Sequence, residues 1–346
     1  MTRFIESFAT QLLRPPWIAS NATTHGFVFE VTASAIQDYL DKYFNIDQAD
    51  GPPFIYSILP DALFGMIAFC DYPSVATVRG PDTSDVLRSE RTWDHVGHQE
   101  AYLAIPVTRR RLGAGKAVEE AVTVWTQPFT FSTNSTVVFA CRETWGVDMS
   151  VGQIVISMDP GDGSLHLDTY LRGVEVFSPR SKDEWVPFLH VTTGPPIETD
   201  YSDLISKNPE LASFVNAVGG DQAVGGLSPS KTELNTLKQY RNAYDLRFAD
   251  YQAIVASQST HENIRNVKFY DASQVDLRFM WSDSTKEILK NFLKVDTRTT
   301  YGPPPPHTQQ EWSLGSAEVK VELAFSMSSD VYFKVIDTIQ TFGFKG

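Results

Sequence analysis

His98, Glu100 and Tyr102 stand at alternate positions of the segment Val96–Val107, VGHQEAYLAIPV. In an extended strand, side chains alternate between two faces, so an imidazole, a carboxylate and a phenol fall in one row. Such a row suits proton transfer. A carboxylate enclosed by apolar walls takes or delivers a proton near neutral pH, and a neighbouring phenol or imidazole can hydrogen-bond an enolate oxygen. Enolisation, dehydration, aldol-type ring closure and loss of carbon dioxide from a β-keto acid all lie within that chemistry. A structural reading competes: Glu100 pairs with a buried Arg142 and ties strand to helix, and His98 is an ordinary strand histidine. Arg142 and Glu143 are adjacent, so on a helix only one of them faces a pocket.

Metal binding is not expected. In His95-x-x-His98-x-Glu100, strand alternation puts His95 on the face opposite His98 and Glu100, and a third strong ligand is lacking. His25, His166, His190, His261 and His307 show no ligand spacing, although His25, beside Gly26, is close enough to an N-terminal strand to reach a pocket. Cys70 and Cys141 form no CxxC pair. A GxSxG elbow, a phosphate-binding Walker loop and a strand–GxGxxG–helix unit are all absent. Gly161-Asp162-Gly163 and the glycines of 219–226 read as turns. No organic cofactor is implied.

The elements that must position these groups can be read from periodicity and punctuation. Residues 33–44 read as a helix with Ile36, Leu40, Tyr43 and Phe44 on one face, ended by Gly51-Pro52-Pro53. Strands are expected within the apolar stretch 54–69 and at 101–108 and 119–131, the last with Val122, Val124 and Trp125. Thr133-Asn134-Ser135 resembles a helix cap before VVFACRETW, and Gly146 is a natural stop. Strands follow at 151–158 and 165–177 around the turn Asp159–Gly163. Residues 198–217 read as helical. Residues 229–257 give the clearest helical pattern, with Leu234, Leu237, Tyr240, Tyr244, Phe248 and Tyr251 recurring at helical spacing. Strand-like stretches return at 265–281 and 317–335, and Pro303–Pro306 is a stiff connector. Without an alternating β-α-β-α register, the order points to an α+β protein with a dominant antiparallel sheet.

Composition narrows the function classes. The 346 residues carry 29 Lys and Arg against 42 Asp and Glu, a net charge of −13. That balance argues against a nucleic-acid binder, which needs a basic stripe, and Arg109-Arg110-Arg111 is too short to supply one. With 42% hydrophobic residues the chain can bury a real core. Two cysteines do not make a secreted disulfide scaffold. Neither a signal peptide nor a membrane-spanning run is evident, so Asn21-Ala-Thr and Asn134-Ser-Thr read as chance glycosylation matches and the expected location is cytoplasmic.

Val96–Val107 and, some 40 residues on, Ala140–Ser150 (ACRETWGVDMS) together resemble the acetoacetate decarboxylase superfamily. In that family a strand carrying a glutamate ends in an IPV-like tripeptide. A helix with an Arg-Glu element follows, and then an aromatic, a proline and lysines. Pro15-Pro16-Trp17 and the stretch Phe27–Leu40 also resemble the family's N-terminal region, so the likeness covers roughly residues 14–180. Carried over by position, Glu100 stands for the pocket glutamate, and Arg142 and Glu143 for the Arg-Glu pair. The Pro-Lys-Lys element falls on Asp148-Met149-Ser150, so Met149 replaces the Schiff-base lysine and Ser150 its partner lysine. A family arginine falls on Val31 and a second glutamate near Met66. Methionine has no amine and serine forms no iminium, so imine decarboxylation needs a lysine from elsewhere; Lys116 and Lys182 are nearest in sequence.

The resemblance implies one domain over 1–346, of α+β class, with a large, mainly antiparallel curved sheet or barrel around a pocket, peripheral helices and a helical insertion at about 198–260. It implies Glu100 and Arg142 as catalytic residues and His98, Tyr102, Trp145, Asp148, Met149 and Ser150 against the substrate. The expected activity is that of a lyase, dehydratase or cyclase of secondary metabolism, acting on a polyketide-like or β-dicarbonyl small molecule without an imine. A non-catalytic ligand binder and a decarboxylase with a relocated lysine are the alternatives. The expected partner is the small-molecule substrate, with no nucleic acid or membrane, and the family likeness implies a homo-oligomer of unspecified size.

Overall fold

A computed structural model describes residues 15–46, 54–59, 63–77, 96–113, 118–173, 184–199, 203–204, 206, 231–241, 249–281 and 315–342. Seven strands form a ring: β1 (Trp17–Glu30), β3 (Phe64–Thr77), β4 (Val96–Leu112), β5 (Val118–Ser132), β10 (Lys231–Arg241), β11 (Ala249–Tyr270) and β14 (Val321–Phe342). Around it the order is β5-β10-β11-β14-β1-β3-β4, and the pairing of β4 with β5 closes it. Every neighbouring pair in the ring is antiparallel except β5 and β10, which meet in parallel at Trp125 and Leu234.

A wing branches from β5. There β6 (Met149–Met158) pairs in parallel with Thr130–Ser132, and β7 (Leu165–Gly173), β8 (Glu184–Thr192), β12 (Asp276–Trp281) and β13 (Gly315–Val319) follow in antiparallel order. Two short strands decorate the ring: β2 (Phe54–Ile58) pairs with β4, and β9 (Pro196–Ile197) pairs with β11.

Alternation divides the apolar residues between two sides of the ring wall. Phe27, Phe29, Ile67, Leu103 and Phe131 belong to a core shared with Ile36 and Leu40 of helix α1 (Ala33–Tyr43) and with Leu167, Phe188 and Leu189 of the wing. The opposite faces supply Val28, Phe64, Ala104, Trp125, Phe269 and Leu323, with Leu234 packed against them. All seven strands contribute to that second set, which makes it the inside of the ring. At one end of the interior, Trp17, Ala68, Cys70, Tyr72 and Val96 meet Val137, Cys141, Trp145 and Met149 from the segment after β5.

The helical reading of 229–257 is overturned. Residues 231–241 and 249–257 are antiparallel strands, from Lys231 opposite Thr260 to Tyr240 opposite Tyr251. Two of the aromatics that suggested a helical stripe are cross-strand neighbours, with the Tyr240 and Tyr251 rings 5.9 Å apart. Tertiary partners decide the matter, since β11 also pairs along β14. Polar groups at alternate positions of β10 reach across to other elements too. Asn235 accepts from Tyr56 Oη at 2.8 Å and from Arg109 at 3.1 Å, and Glu233 pairs with Arg109. Of the expected insertion, the described residues 231–241 and 249–260 are therefore ring wall. All but a few residues of 198–217 lie outside the described residues, as do Pro303–Pro306 and the glycines of 219–226.

Other boundaries moved less. The stretch 54–69 is two strands, with the second running on to Thr77. The stretch 265–281 is broken by a turn at Ala272–Gln274, and 317–335 is broken at Lys320. Among the described residues, no helix is long and apolar enough to cross a membrane.

Candidate active site

The row expected on β4 is formed. His98 is buried and its Nε2 lies 3.0 Å from Glu100 Oε1, with Glu100 partly buried. The neighbouring strand adds two groups in register, because Cys70 faces Glu100 and Tyr72 faces His98. The Tyr72 and His98 rings lie 5.0 Å apart. The Cys70 thiol donates to Tyr102 Oη at 3.8 Å and lies 3.6 Å from Thr24 Oγ1. Thr24 thus shares this side of the wall, and alternation turns His25 to the other side, away from the pocket.

The electrostatics of the row follow from enclosure. Burial first, then the charge on Cys70 and on Glu100, pushes the Tyr72 and Tyr102 hydroxyls well above the usual range. Burial pushes the Cys70 thiol up to about 11 and raises that of Cys141 as well, with Glu100 adding to both. At neutral pH these phenols and thiols are therefore protonated.

The segment after β5 closes this end of the ring. Helix α2 (Ser135–Ala140) starts at Asn134, whose Oδ1 accepts from Thr136 N at 2.9 Å and Val137 N at 3.4 Å. It runs into a π-helical turn, Cys141–Trp145, that stops at Gly146 with φ +68°. The stop is tight: a side chain at 146 would meet the Cα and N of Lys238 at under 3 Å. Thr236 Oγ1, on the same strand as Lys238, donates to Trp145 O. The turn is thereby pressed onto β10, with Trp145 and Cys141 facing in.

Trp145 is 4% exposed and its ring lies 5.0 Å from that of Trp17. Phe333 links the indole to Tyr72, at 6.5 Å and 6.1 Å. Among the described residues, three buried nitrogens here have no hydrogen-bond partner: Trp17 Nε1, Trp145 Nε1 and His98 Nδ1. Unpaired buried polar atoms are rare in folded proteins, because each forfeits its interaction with water. A ligand with oxygen acceptors would satisfy the two indoles.

Of the residues expected at the site, His98, Glu100, Tyr102, Trp145 and Met149 come together, with Met149 buried among Trp145, Val147 and Cys141. Arg142, Asp148 and Ser150 have exposed side chains. The expected Glu100–Arg142 pair is not formed. In the π-helical turn Cys141 and Trp145 take the inward positions, which leaves Arg142 outside, and the hydrogen-bond partner of Glu100 is His98. Surrounding protein still desolvates the Asp148 carboxyl enough to raise its pKa, with Arg142 opposing. Glu143 faces Lys238 on β10 and acts on it electrostatically.

Tyr72, Cys70, Cys141, Trp17 and Phe333 were missed as site residues. Only the β3–β4 register brings Tyr72 and Cys70 to the row, and one chain segment does not reveal a register. His95, Lys116 and Lys182 lie outside the described residues.

No family model and no curated protein matches the sequence. Solved structures do. The enduracididine biosynthesis enzyme MppR with HEPES buffer bound is 9% identical and aligns over 96% of this chain and 92% of its own, with a TM-score of 0.50. MppR complexed with the condensation product of pyruvate and imidazole 4-carboxaldehyde is 10% identical over 96% and 94%, also at 0.50. An acetoacetate decarboxylase from Legionella pneumophila subsp. pneumophila str. Philadelphia 1 is 11% identical over 98% and 92%, at 0.48. The closed seven-strand ring and the superposition on MppR over 96% of the chain give this protein an acetoacetate-decarboxylase-like fold.

Proposed function

We propose that the end of the ring around Glu100 is the active site of a lyase, dehydratase or cyclase that works by acid–base catalysis without an imine. The substrate is a small, oxygenated, largely apolar molecule of polyketide-like or β-dicarbonyl type. The observation that carries this reading is the Glu100–His98 pair, 3.0 Å apart, beside two buried indole nitrogens without partners among the described residues. Glu100 takes a proton from the carbon next to a carbonyl, and His98 passes it on. The Trp17 and Trp145 N–H groups hold the substrate's oxygens, where they stabilise charge as it develops on an enolate. Tyr72 and Tyr102, neutral at working pH, supply further donors. Met149, where the family resemblance puts the imine lysine, packs as an apolar wall. Arg142, exposed, is left out of the proton-transfer step.

Enolisation can be tested before the substrate is known. Pyruvate is the first probe, since MppR, of similar fold, is described in complex with a product condensed from it. The measurement is exchange of its methyl protons into deuterium oxide, followed by proton NMR. Acid–base catalysis contributes on the order of 10²–10⁴-fold, so Glu100→Gln lowers enzyme-dependent exchange by at least about 100-fold. Unchanged exchange in that variant removes Glu100 from the step.

One observation favours the relocated-lysine reading. Lys238 abuts Gly146, is half-buried, and has its pKa lowered by desolvation against the opposing pull of Glu143. A depressed lysine pKa is what imine formation needs. Borohydride reduction in the presence of pyruvate, followed by peptide mass spectrometry, separates the readings. A stoichiometric adduct on Lys238 sinks the imine-free mechanism, and no adduct sinks this alternative.

A further inference from the structure

A second cluster lies on the wing, away from the ring interior. On β7 and β8, Leu165, Leu167, Leu189 and Val191 point into the core shared with the ring. The residues between them point the other way, and three of these converge. His166 Nε2 lies 2.8 Å from Asp168 Oδ2, and His190 Nδ1 lies 2.7 Å from Asp168 Oδ1. All three donor atoms lie within 4.8 Å of one another. Asp168 and His190 are 6% and 9% exposed, and the His166 side chain, at 28%, borders an open groove of about 580 Å³ lined also by Ser157, Thr192 and Thr193.

We propose that His166, Asp168 and His190 form a binding site for a divalent late transition-metal ion, with zinc the best match. Two imidazole nitrogens and one carboxylate oxygen make a donor set typical of zinc and its neighbours, and unlike the all-oxygen sets of calcium or magnesium. Zinc–ligand bonds of roughly 2.0–2.2 Å put the ligands of a tetrahedral ion about 3.3 Å apart. The two rings stand 2.7 and 2.8 Å from different oxygens of Asp168, and the three ligating atoms lie within 4.8 Å of one another, so a turn of the carboxylate together with a swing of the rings brings all three to that value. The fourth position then faces the groove, where water or an oxygen donor from a bound molecule completes the shell. The competing arrangement is metal-free: Asp168 accepts one N–H from each ring and clips β7 to β8. The two arrangements use the same nitrogens, so zinc must displace those protons to bind.

The full-length chain, stripped with a chelator and dialysed against micromolar zinc chloride, should hold one zinc per chain by elemental mass spectrometry. His166→Gln keeps an amide donor for Asp168 but removes a ligand. Loss of a partner that merely orients a ligand costs 10–100-fold in affinity, so loss of a ligand should cost at least about 100-fold. His98→Gln controls for the other His–carboxylate pair and should bind as the parent does. Cobalt(II) in the unmutated chain should shift the imidazole resonances of two histidines, a readout that does not depend on a variant folding. The proposal is overturned by an absence of stoichiometric zinc, by equal binding in His166→Gln, by loss in His98→Gln instead, or by a cobalt spectrum without shifted imidazoles.

Discussion

Replacing Gly146 by alanine tests whether the capping turn is held to β10 as closely as the geometry requires. Two costs add. At φ +68° an L residue sits in the left-handed region, for roughly 1–2 kcal/mol. The new methyl would also lie 2.6 Å from Lys238 Cβ, 2.8 Å from its Cα and 2.9 Å from its N. Because two of those atoms are backbone, a rotamer change cannot clear them; the turn or the strand must shift, at about 1–3 kcal/mol for overpacking of this kind. The sum is about 2–5 kcal/mol.

Gly163→Ala is the internal control. Its φ is +79°, so the conformational cost is alike, but it lies in the turn before β7 and its nearest neighbour is the Pro196 ring at 3.2 Å. It should cost only the first 1–2 kcal/mol. Urea unfolding followed by tryptophan fluorescence measures both variants, and Trp17 and Trp145 report from the affected end of the ring. If Gly146→Ala destabilises no more than Gly163→Ala, the close approach to Lys238 is not a constraint, and the account of how Trp145 is positioned fails.

Three further outcomes are expected. His25 is buried with its pKa lowered to about 4 from 6.5, chiefly by desolvation and also by Lys268. Its proton is bound more readily by the unfolded chain, so stability falls as pH drops from 6.5 toward 4. At pH 5 this one group has cost about 2 kcal/mol, and His25→Gln should lose that part of the pH dependence in paired urea titrations at pH 7 and 5. Asn134→Ala removes both cap bonds of α2 and should cost about 1 kcal/mol, with Asn134→Ser restoring most of it, read as shifts in Tm. Cys70 and Cys141 are buried thiols with raised pKa values, so a disulfide reagent at pH 8 should label neither in the folded protein and both in urea.

The row on β4 was legible because strand alternation needs only one segment, and His98, Glu100 and Tyr102 carry their own period. The cap at Asn134 and the stop at Gly146 were legible for the same reason, as local rules written in adjacent residues. What failed depended on partners. The stretch 229–257 has helical spacing on paper, yet β14 and β5 supply hydrogen bonds that make it two strands. Tyr72 and Cys70 join the site through a register with β4. His166 and Asp168 show their spacing in His-x-Asp, whereas His190 reaches them only because β8 folds back on β7.

The ring also sets when a site of this kind can come into being. Its last seam joins β1 to β14, with Trp17 opposite Phe333, so nearly the whole chain lies between the two strands that meet there. Such distant pairing is slow, because the entropy of closing the loop is lost before the contacts return it. During synthesis Trp17, Cys70 and Glu100 are made early but have no enclosed interior to line until Val331 and Phe333 arrive. Their apolar and aromatic faces wait unprotected while the intervening residues are made, which makes the nascent chain, rather than the finished ring, the form most in need of a chaperone.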